Sequence, residues 1–154
     1  MARVEFEVRS PLDVQVVLAN LVDFGERRPE LWPAIDERVF HVHSLGEDWA
    51  EVTEGTDFLG GIWARERYDW SESGVVRATI QESNFWHPGG TWTLRAEPDA
   101  DGGSRLMVVR DRRAKGFRAR LLEGLMRVAG ARILSSELQK APALGLASPP
   151  RGEG

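Results

Sequence analysis

The chain has 154 residues, enough for one domain with its own hydrophobic core. Apolar residues make up 42% and charged residues 29%, which is typical of a globular protein and excludes disorder as its main state. Cysteine is absent, which excludes disulfides, thiolate metal sites and thiol nucleophiles. The longest apolar-rich run without charge, residues 14–22, is much shorter than the roughly 20 residues of a membrane span. The first residues lack the apolar run of a secretory signal, so we expect a cytoplasmic protein with no integral membrane segment.

Charge is distributed unevenly along the chain. Residues 1–104 carry 9 basic and 20 acidic residues, whereas residues 105–154 carry 11 basic and 4 acidic residues. Such an asymmetry can mark contact with a polyanion or a membrane, and it can also mean that two parts of one fold attract each other. Because the whole chain is acidic, with a net charge of −4, we expect no nucleic-acid partner.

The first elements predicted are a strand and a helix. Apolar and charged residues alternate over residues 3–9, which places Val4, Phe6 and Val8 on one face of a half-buried strand. The following Ser10 and Asp13 have the spacing of a capping box, with aspartate in the place of the usual glutamate. They predict a helix over residues 11–22.

The next segment, residues 26–35, contains two prolines and is predicted to be a short broken helix anchored by Leu31 and Trp32. From residue 38 to residue 112, turn-forming residues recur every 8–14 positions and separate segments of strand-like composition. Six short strands joined in this way form an antiparallel meander. The predicted strands are residues 39–44, 49–54, 62–70, 75–82, 91–97 and 105–112.

A long amphipathic helix is predicted over residues 117–140. Phe117, Leu121, Leu125 and Val128 recur at helical spacing, and we expect this row to cover the sheet and leave the basic face solvated. Gly124 and Gly130 would weaken an isolated helix, so we expect them to permit a close approach. Residues 147–154 are predicted to be a flexible tail after a single domain of residues 1–146.

This order of elements resembles the helix-grip fold of the START-like (SRPBCC) superfamily, which includes birch-pollen-allergen-like and polyketide cyclase/dehydrase proteins. The resemblance covers residues 2 to about 140 and is carried by four short segments: Ser10-Pro11 before a Val/Leu helix, Leu31-Trp32-Pro33, Gly90-Thr91-Trp92-Thr93-Leu94 with the hairpin that follows, and Gly116-Phe117. It implies an α+β fold in which a seven-stranded curved antiparallel sheet wraps around the C-terminal helix, with two short helices after the first strand. It also implies a cavity between sheet and helix, in which superfamily members bind lipids, sterols, hormones or polyketides, and some are enzymes.

Glu66 is the leading candidate for chemistry. The more apolar phase of residues 62–70 contains Glu66 and Tyr68, which places both on the inner wall if this phase faces the cavity. A desolvated carboxylate there could donate or accept a proton, or bind a ligand hydroxyl. The alternatives are a buried salt bridge to an arginine such as Arg110, or the opposite phase, which would bring Arg65 and Arg67 inside.

The histidines are weak candidates for a metal site. His41 and His43 lie two apart on a strand and share a face, but a site needs a third ligand, and His87 is in a distant turn. We therefore expect neither a metal nor a cofactor.

Two apolar turns, one with Phe58 and one with Phe85 and Trp86, could either line the rim of the cavity or clasp the edge of the sheet.

The leading hypothesis is a monomer or weak homodimer that binds a small, largely apolar ligand, lipid-, polyketide- or aromatic-like. One alternative is an enzyme resembling polyketide aromatase/cyclases, with Glu66, Tyr68 and Arg67 as catalytic candidates. The other is a module that docks its apolar turns and basic helix on a protein or membrane. The predicted ligand-binding residues are Trp32, Phe58, Ile62, Ala64, Glu66, Tyr68, Trp70, Ala78, Ile80, Trp86, Trp92, Leu94, Leu121 and Leu125.

Overall fold

The computed structural model describes residues 2–57 and 61–145, and within them the chain forms one sheet and three α-helices. The strands are β1 (Ala2–Ser10), β2 (His41–Leu45), β3 (Trp49–Thr56), β4 (Ile62–Asp69), β5 (Val75–Ser83), β6 (Thr91–Pro98) and β7 (Ser104–Arg112). The helices are α1 (Val14–Leu21), α2 (Arg28–Leu31) and α3 (Gly116–Gln139), and a short 3-10 helix, Pro142–Leu144, follows α3. No helix in these ranges is long and apolar enough to cross a membrane.

The seven strands form one antiparallel sheet in the order β1-β7-β6-β5-β4-β3-β2. Strands β2 to β7 follow each other as hairpins, and β1 returns to pair with β7. The predicted α+β class, the seven-stranded sheet and the two short helices after the first strand are confirmed, because every strand lies within two residues of its predicted bounds.

One face of the sheet, here called the inner face, carries the core. Val8, Val52, Leu94 and Leu106 on four different strands are fully buried there, and α1 adds Val17. This face is predicted by the alternation of apolar and polar residues along each strand. The end of the chain that the structure describes is tied to β1, because the Ser10 hydroxyl donates to the Leu144 carbonyl at 2.7 Å.

The start of α1 differs from the prediction. The helix begins at Val14 rather than residue 11, and the Asp13 carboxylate caps it by accepting from the backbone N–H of Gln15 at 3.0 Å. Ser10 is not the cap, because its hydroxyl accepts from the N–H of Leu12 and donates to Leu144. The Ser10 oxygen thus accepts from Leu12 instead of Asp13, and its hydroxyl proton is donated to a distant part of the chain.

The orientation of α3 is the second difference. The helix lies against β1. It turns Ala119 and Gly130 inward, and Ala119 packs with Ala64, Ile80 and Trp86 of the inner face. The predicted covering row instead faces solvent, with exposed fractions of 77% for Phe117, 61% for Leu121, 54% for Leu125 and 88% for Val128.

Small residues explain this orientation, because Ala119 and Gly130 let the helix approach the sheet more closely than leucine would. The prediction of a close approach is wrong at Gly124, where a side chain would meet open space, and Gly130 is buried.

Candidate functional site

Strand β4 presents its carboxylate and its tyrosine to the interior. Ala64, Glu66 and Tyr68 are buried on the inner face, so the predicted phase of this strand is confirmed. Arg67 points to the outer face, where its guanidinium stacks over the Trp49 ring at 4.5 Å. This placement removes Arg67 from the group of side chains that could act together with Glu66.

Glu66 forms a buried ion pair with an arginine of β7. Its Oε1 accepts from Nη2 of Arg112 at 2.6 Å, and the two side chains are 6% and 14% exposed. Arg112 reaches Glu66 by crossing Gly90, where an added Cβ would lie 3.3 Å from both Arg112 Cγ and Ile80 Cδ1. The alternative of a salt bridge to Glu66 is therefore realised, with Arg112 rather than Arg110 as the partner.

A second ion pair lies beside the first. Arg28 Nε donates to Glu54 Oε1 at 2.9 Å, and the Tyr68 hydroxyl donates to Glu54 Oε2 at 2.7 Å. Arg28 also donates to the Leu21 carbonyl at 2.6 Å, and its guanidinium stacks 4.6 Å from the centre of the Phe24 ring. Hydrogen bonds and ring contacts thus compensate for much of the cost of burying this cation.

Tyr68 connects the two pairs. Its hydroxyl lies 3.4 Å from Glu66 Oε2 as well as 2.7 Å from Glu54 Oε2, so one proton stands between two carboxylates. The five side chains form a continuous chain of contacts across the inner face, which we call the inner polar cluster. Its members are Arg28, Glu54, Glu66, Tyr68 and Arg112.

Burial determines the protonation of this cluster. It raises the pKa of Glu66 above the ordinary glutamate value, assisted by the charge of Glu54 and opposed by Arg112. Burial and the two neighbouring carboxylates raise the pKa of the Tyr68 hydroxyl well above its ordinary value. Tyr68 is therefore a neutral hydrogen-bond donor, and the pKa of Glu66 is moved toward the range in which a carboxyl group can exchange protons near neutral pH.

The turn with Phe85 and Trp86 folds back onto the sheet. Trp86 is buried against Ala64 and Ala119 and forms an isolated β-bridge with Ala114. The guanidinium of Arg110 lies over its ring at 5.2 Å from the centroid, and that of Arg112 at 5.9 Å. This arrangement matches the clasp expected as one of two possibilities, and it places an indole ring beside the arginines of β7. The other apolar turn, with Phe58, lies outside the described residues.

The remaining predicted ligand-binding residues divide into three groups. Ala78, Ile80 and Leu94 are fully buried inner-face core. Four side chains are half-buried, and they are Trp32, Ile62, Trp70 and Trp92. Leu121 and Leu125 lie on the exposed side of α3, so the structure does not bring them to the inner face.

Sequence reasoning missed Glu54 and Arg28. Glu54 follows Ala50 and Val52 in the apolar phase of β3, the same signal that identified Glu66, so it could have been found. Arg28 carries no such signal, because it lies in a short helix whose orientation depends on tertiary packing.

A groove of about 380 Å³ lies on the outer face of β4 and β5. Its walls carry charges of both signs and include neither Glu66 nor Tyr68. The lining residues are Arg67, Asp69, Ser71, Glu72, Val75, Arg77 and Thr79.

The histidines are not gathered into a site. The rings of His41 and His43 lie 4.6 Å apart on an exposed strand, and His43 Nε2 is 2.7 Å from Thr53 Oγ1. Within residues 2–57 and 61–145, no three side chains of histidine, aspartate or glutamate converge as a metal site would require.

Solved structures with the same architecture cover nearly the whole chain. A protein of Thermus thermophilus superimposes with a TM-score of 0.73 at 16% identity, over 95% of this chain and 99% of that one. The Zhui aromatase/cyclase of a Streptomyces species gives 0.68 at 16% identity, over 90% and 93% of the two chains. A START superfamily protein of Mycobacterium smegmatis gives 0.66 at 14% identity, over 90% and 97%.

No protein-family model matches the sequence, and no curated protein matches it either. At such low identities the structural similarity shows the fold alone. The chain has the helix-grip fold of the START-like (SRPBCC) superfamily, as the order of its elements predicts.

Proposed function

We propose that this protein binds a small, largely apolar molecule against the inner face of its sheet, with the inner polar cluster orienting the polar end of that molecule. The observation that carries this proposal is the cluster itself. Burying carboxylates and guanidinium groups on an apolar face costs free energy, and hydrophobic residues of similar size are often equally stable or more stable. Polar groups placed at a few points of an apolar surface are the usual composition of a small-molecule site.

The half-buried aromatic residues support the same proposal. Trp32, Trp70 and Trp92 pack against the main core but keep part of their surface accessible. Trp92 is directly opposite Ala78 in the sheet, and Ala78 is opposite Tyr68, so the indole lies two strands from Tyr68. A flat apolar ligand would gain contact area there, since aromatic side chains supply large apolar surfaces.

A second candidate function is proton transfer on a bound substrate. The placement of the Tyr68 hydroxyl between Glu54 and Glu66 favours it, because two carboxylates in different surroundings can divide acid and base roles. The Streptomyces neighbour is named an aromatase/cyclase, so the same fold also supports an enzyme. The two functions share one site. If the protein is an enzyme, Glu66→Gln should abolish turnover, and if it only binds a ligand, Glu66→Gln should alter binding alone.

Binding is tested with phenylnaphthylamine, a neutral probe whose fluorescence rises in apolar surroundings. We expect saturable binding to the wild type, weakened about tenfold by Trp92→Leu, which is about 1.4 kcal/mol of lost contact. Trp49→Leu is the matched control, because Trp49 is a half-buried tryptophan that stacks with Arg67 on the outer face, and its affinity should change less than twofold.

Two outcomes contradict the proposal. Equal weakening by both substitutions would show that the probe does not use the inner face. Absence of saturable binding to the wild type would favour the interaction module instead, and would direct attention to the exposed row of α3.

A further inference from the structure

Arg110 occupies an unusual position on the inner face. Leu106 and Val108 precede it in the same phase of β7 and are fully buried. Its direct neighbours in the sheet are Val4 on β1 and Trp92 on β6. The strand register therefore places this guanidinium between two apolar side chains, with no carboxylate opposite.

Within the described part of the chain, Arg110 has no hydrogen bond and no ion pair, and its guanidinium lies over the Trp86 ring. The nearest carboxylate that acts on it electrostatically is Glu66, and Oε1 of Glu66 already accepts from Arg112 at 2.6 Å. Arg112 Nε is also buried without an acceptor. Arg110 itself is only half-buried, so part of its surface remains accessible.

Positive charge exceeds negative charge among the side chains around Arg110. The inner polar cluster and Arg110 together hold three guanidinium groups and two carboxylates. Burial and the like charge of Arg112 lower the pKa of Arg110 to about 9, with Glu66 opposing the decrease. Arg110 still carries its charge at neutral pH, and a partly buried cation that shares its nearby carboxylate with another arginine is costly.

We propose that Arg110, with Arg112 beside it, binds the carboxylate of an amphipathic carboxylic acid whose apolar body lies along the inner face. This inference rests on the proposed ligand binding and names the chemical class of the ligand. The planar guanidinium can donate two parallel hydrogen bonds to a carboxylate, and such charge-assisted pairs are stronger than neutral ones. The Trp86 ring, 5.2 Å from the guanidinium carbon, limits where that guanidinium can lie.

The test uses two competitors that differ only in their head group, dodecanoate and dodecanol, each displacing bound phenylnaphthylamine. In the wild type, dodecanoate should compete better than dodecanol despite its lower hydrophobicity. Arg110→Met keeps the apolar stem and should weaken dodecanoate about tenfold or more, while dodecanol and the probe itself change less than twofold. Arg110→Lys should retain part of the preference for dodecanoate over dodecanol. Naphthoate and naphthylmethanol form an aromatic acid and alcohol pair for the same displacement assay. Comparison with the dodecyl pair shows whether the site prefers an aromatic ring or an acyl chain as the apolar part of the ligand.

Arg105→Met is the matched control, since Arg105 lies on the same strand and pairs with Glu97 on the outer face. Arg110→Met should also unfold at an equal or higher denaturant concentration, because it removes an uncompensated cation. A lower midpoint, or the same loss for acid and alcohol, would overturn the carboxylate site. Failure of the neutral probe to bind the wild type would instead overturn the proposed function.

Discussion

Replacing Arg112 with methionine tests whether the buried pair with Glu66 behaves as the geometry implies. Methionine keeps most of the apolar stem that passes Gly90 and removes the guanidinium 2.6 Å from Glu66 Oε1. Glu66 then remains buried beside the charge of Glu54 without its main compensating cation. Its pKa, already raised by burial, must rise further.

The cost has an upper limit, because the carboxyl group can escape the penalty by binding a proton. At pH 7 the solution is 2.5 pH units above the ordinary glutamate pKa of 4.5. Each unit corresponds to about 1.4 kcal/mol, so protonating Glu66 in the native state costs at most about 3.5 kcal/mol relative to the unfolded chain. This limit agrees with the range of about 3–5 kcal/mol for breaking a buried ion pair.

The pH dependence follows from linkage. A native carboxyl group with a raised pKa binds its proton more tightly than the unfolded one, so the free energy of unfolding falls as pH rises above the unfolded pKa. In Arg112→Met this fall continues to higher pH. The difference from wild type should therefore be small at pH 4.5 and grow toward pH 7, where it stays below the limit of about 3.5 kcal/mol because the wild type already bears part of this cost.

Chemical denaturation at several pH values measures this difference, with Arg105→Met as the control. The exposed Arg105–Glu97 pair should contribute less than about 1 kcal/mol at every pH. A loss in Arg112→Met that is the same at pH 4.5 and pH 7 would refute the reasoning, because Glu66 would then not be titrating against Arg112.

Two further predictions use single positions. Tyr68 is the only tyrosine of the chain, so ultraviolet absorbance reports its ionisation alone. Because the pKa of its hydroxyl is raised, no phenolate should form at pH 10 while the protein is folded. Denaturant should restore the ordinary ionisation of tyrosine. Phenolate in the folded protein at pH 10 would contradict the burial of the hydroxyl. Gly124→Ala should raise the free energy of unfolding by up to about 1 kcal/mol, because alanine favours helix and its Cβ meets open space. A destabilised variant would show that this side of α3 is covered.

The sheet could be predicted from the sequence because apolar and polar residues alternate along each strand and turn-forming residues separate the strands. The inner position of Glu66 and Tyr68 followed from the same alternation. The side of α3 that packs could not be predicted in this way. The helix carries apolar residues on more than one side, and the small Ala119 and Gly130 gave the closer approach to the sheet than the row of Leu121 and Leu125.

The partners within the site depend on contacts between distant parts of the chain. Arg112 meets Glu66 across Gly90, where an added Cβ would crowd the arginine side chain, and Arg28 meets Glu54 from the short helix α2, which is distant in sequence. The same applies to Ser10, whose hydroxyl donates to a carbonyl more than a hundred residues away. Local pattern identifies the face on which a side chain lies, whereas register and docking decide what it touches.

Native mass spectrometry of the protein purified from its own host tests the account most directly. The account predicts a reproducible added mass that disappears on denaturation, corresponds to an amphipathic carboxylic acid, and is reduced in Arg110→Met but retained in Arg105→Met. No added mass, together with no response of phenylnaphthylamine fluorescence, would contradict ligand binding on the inner face.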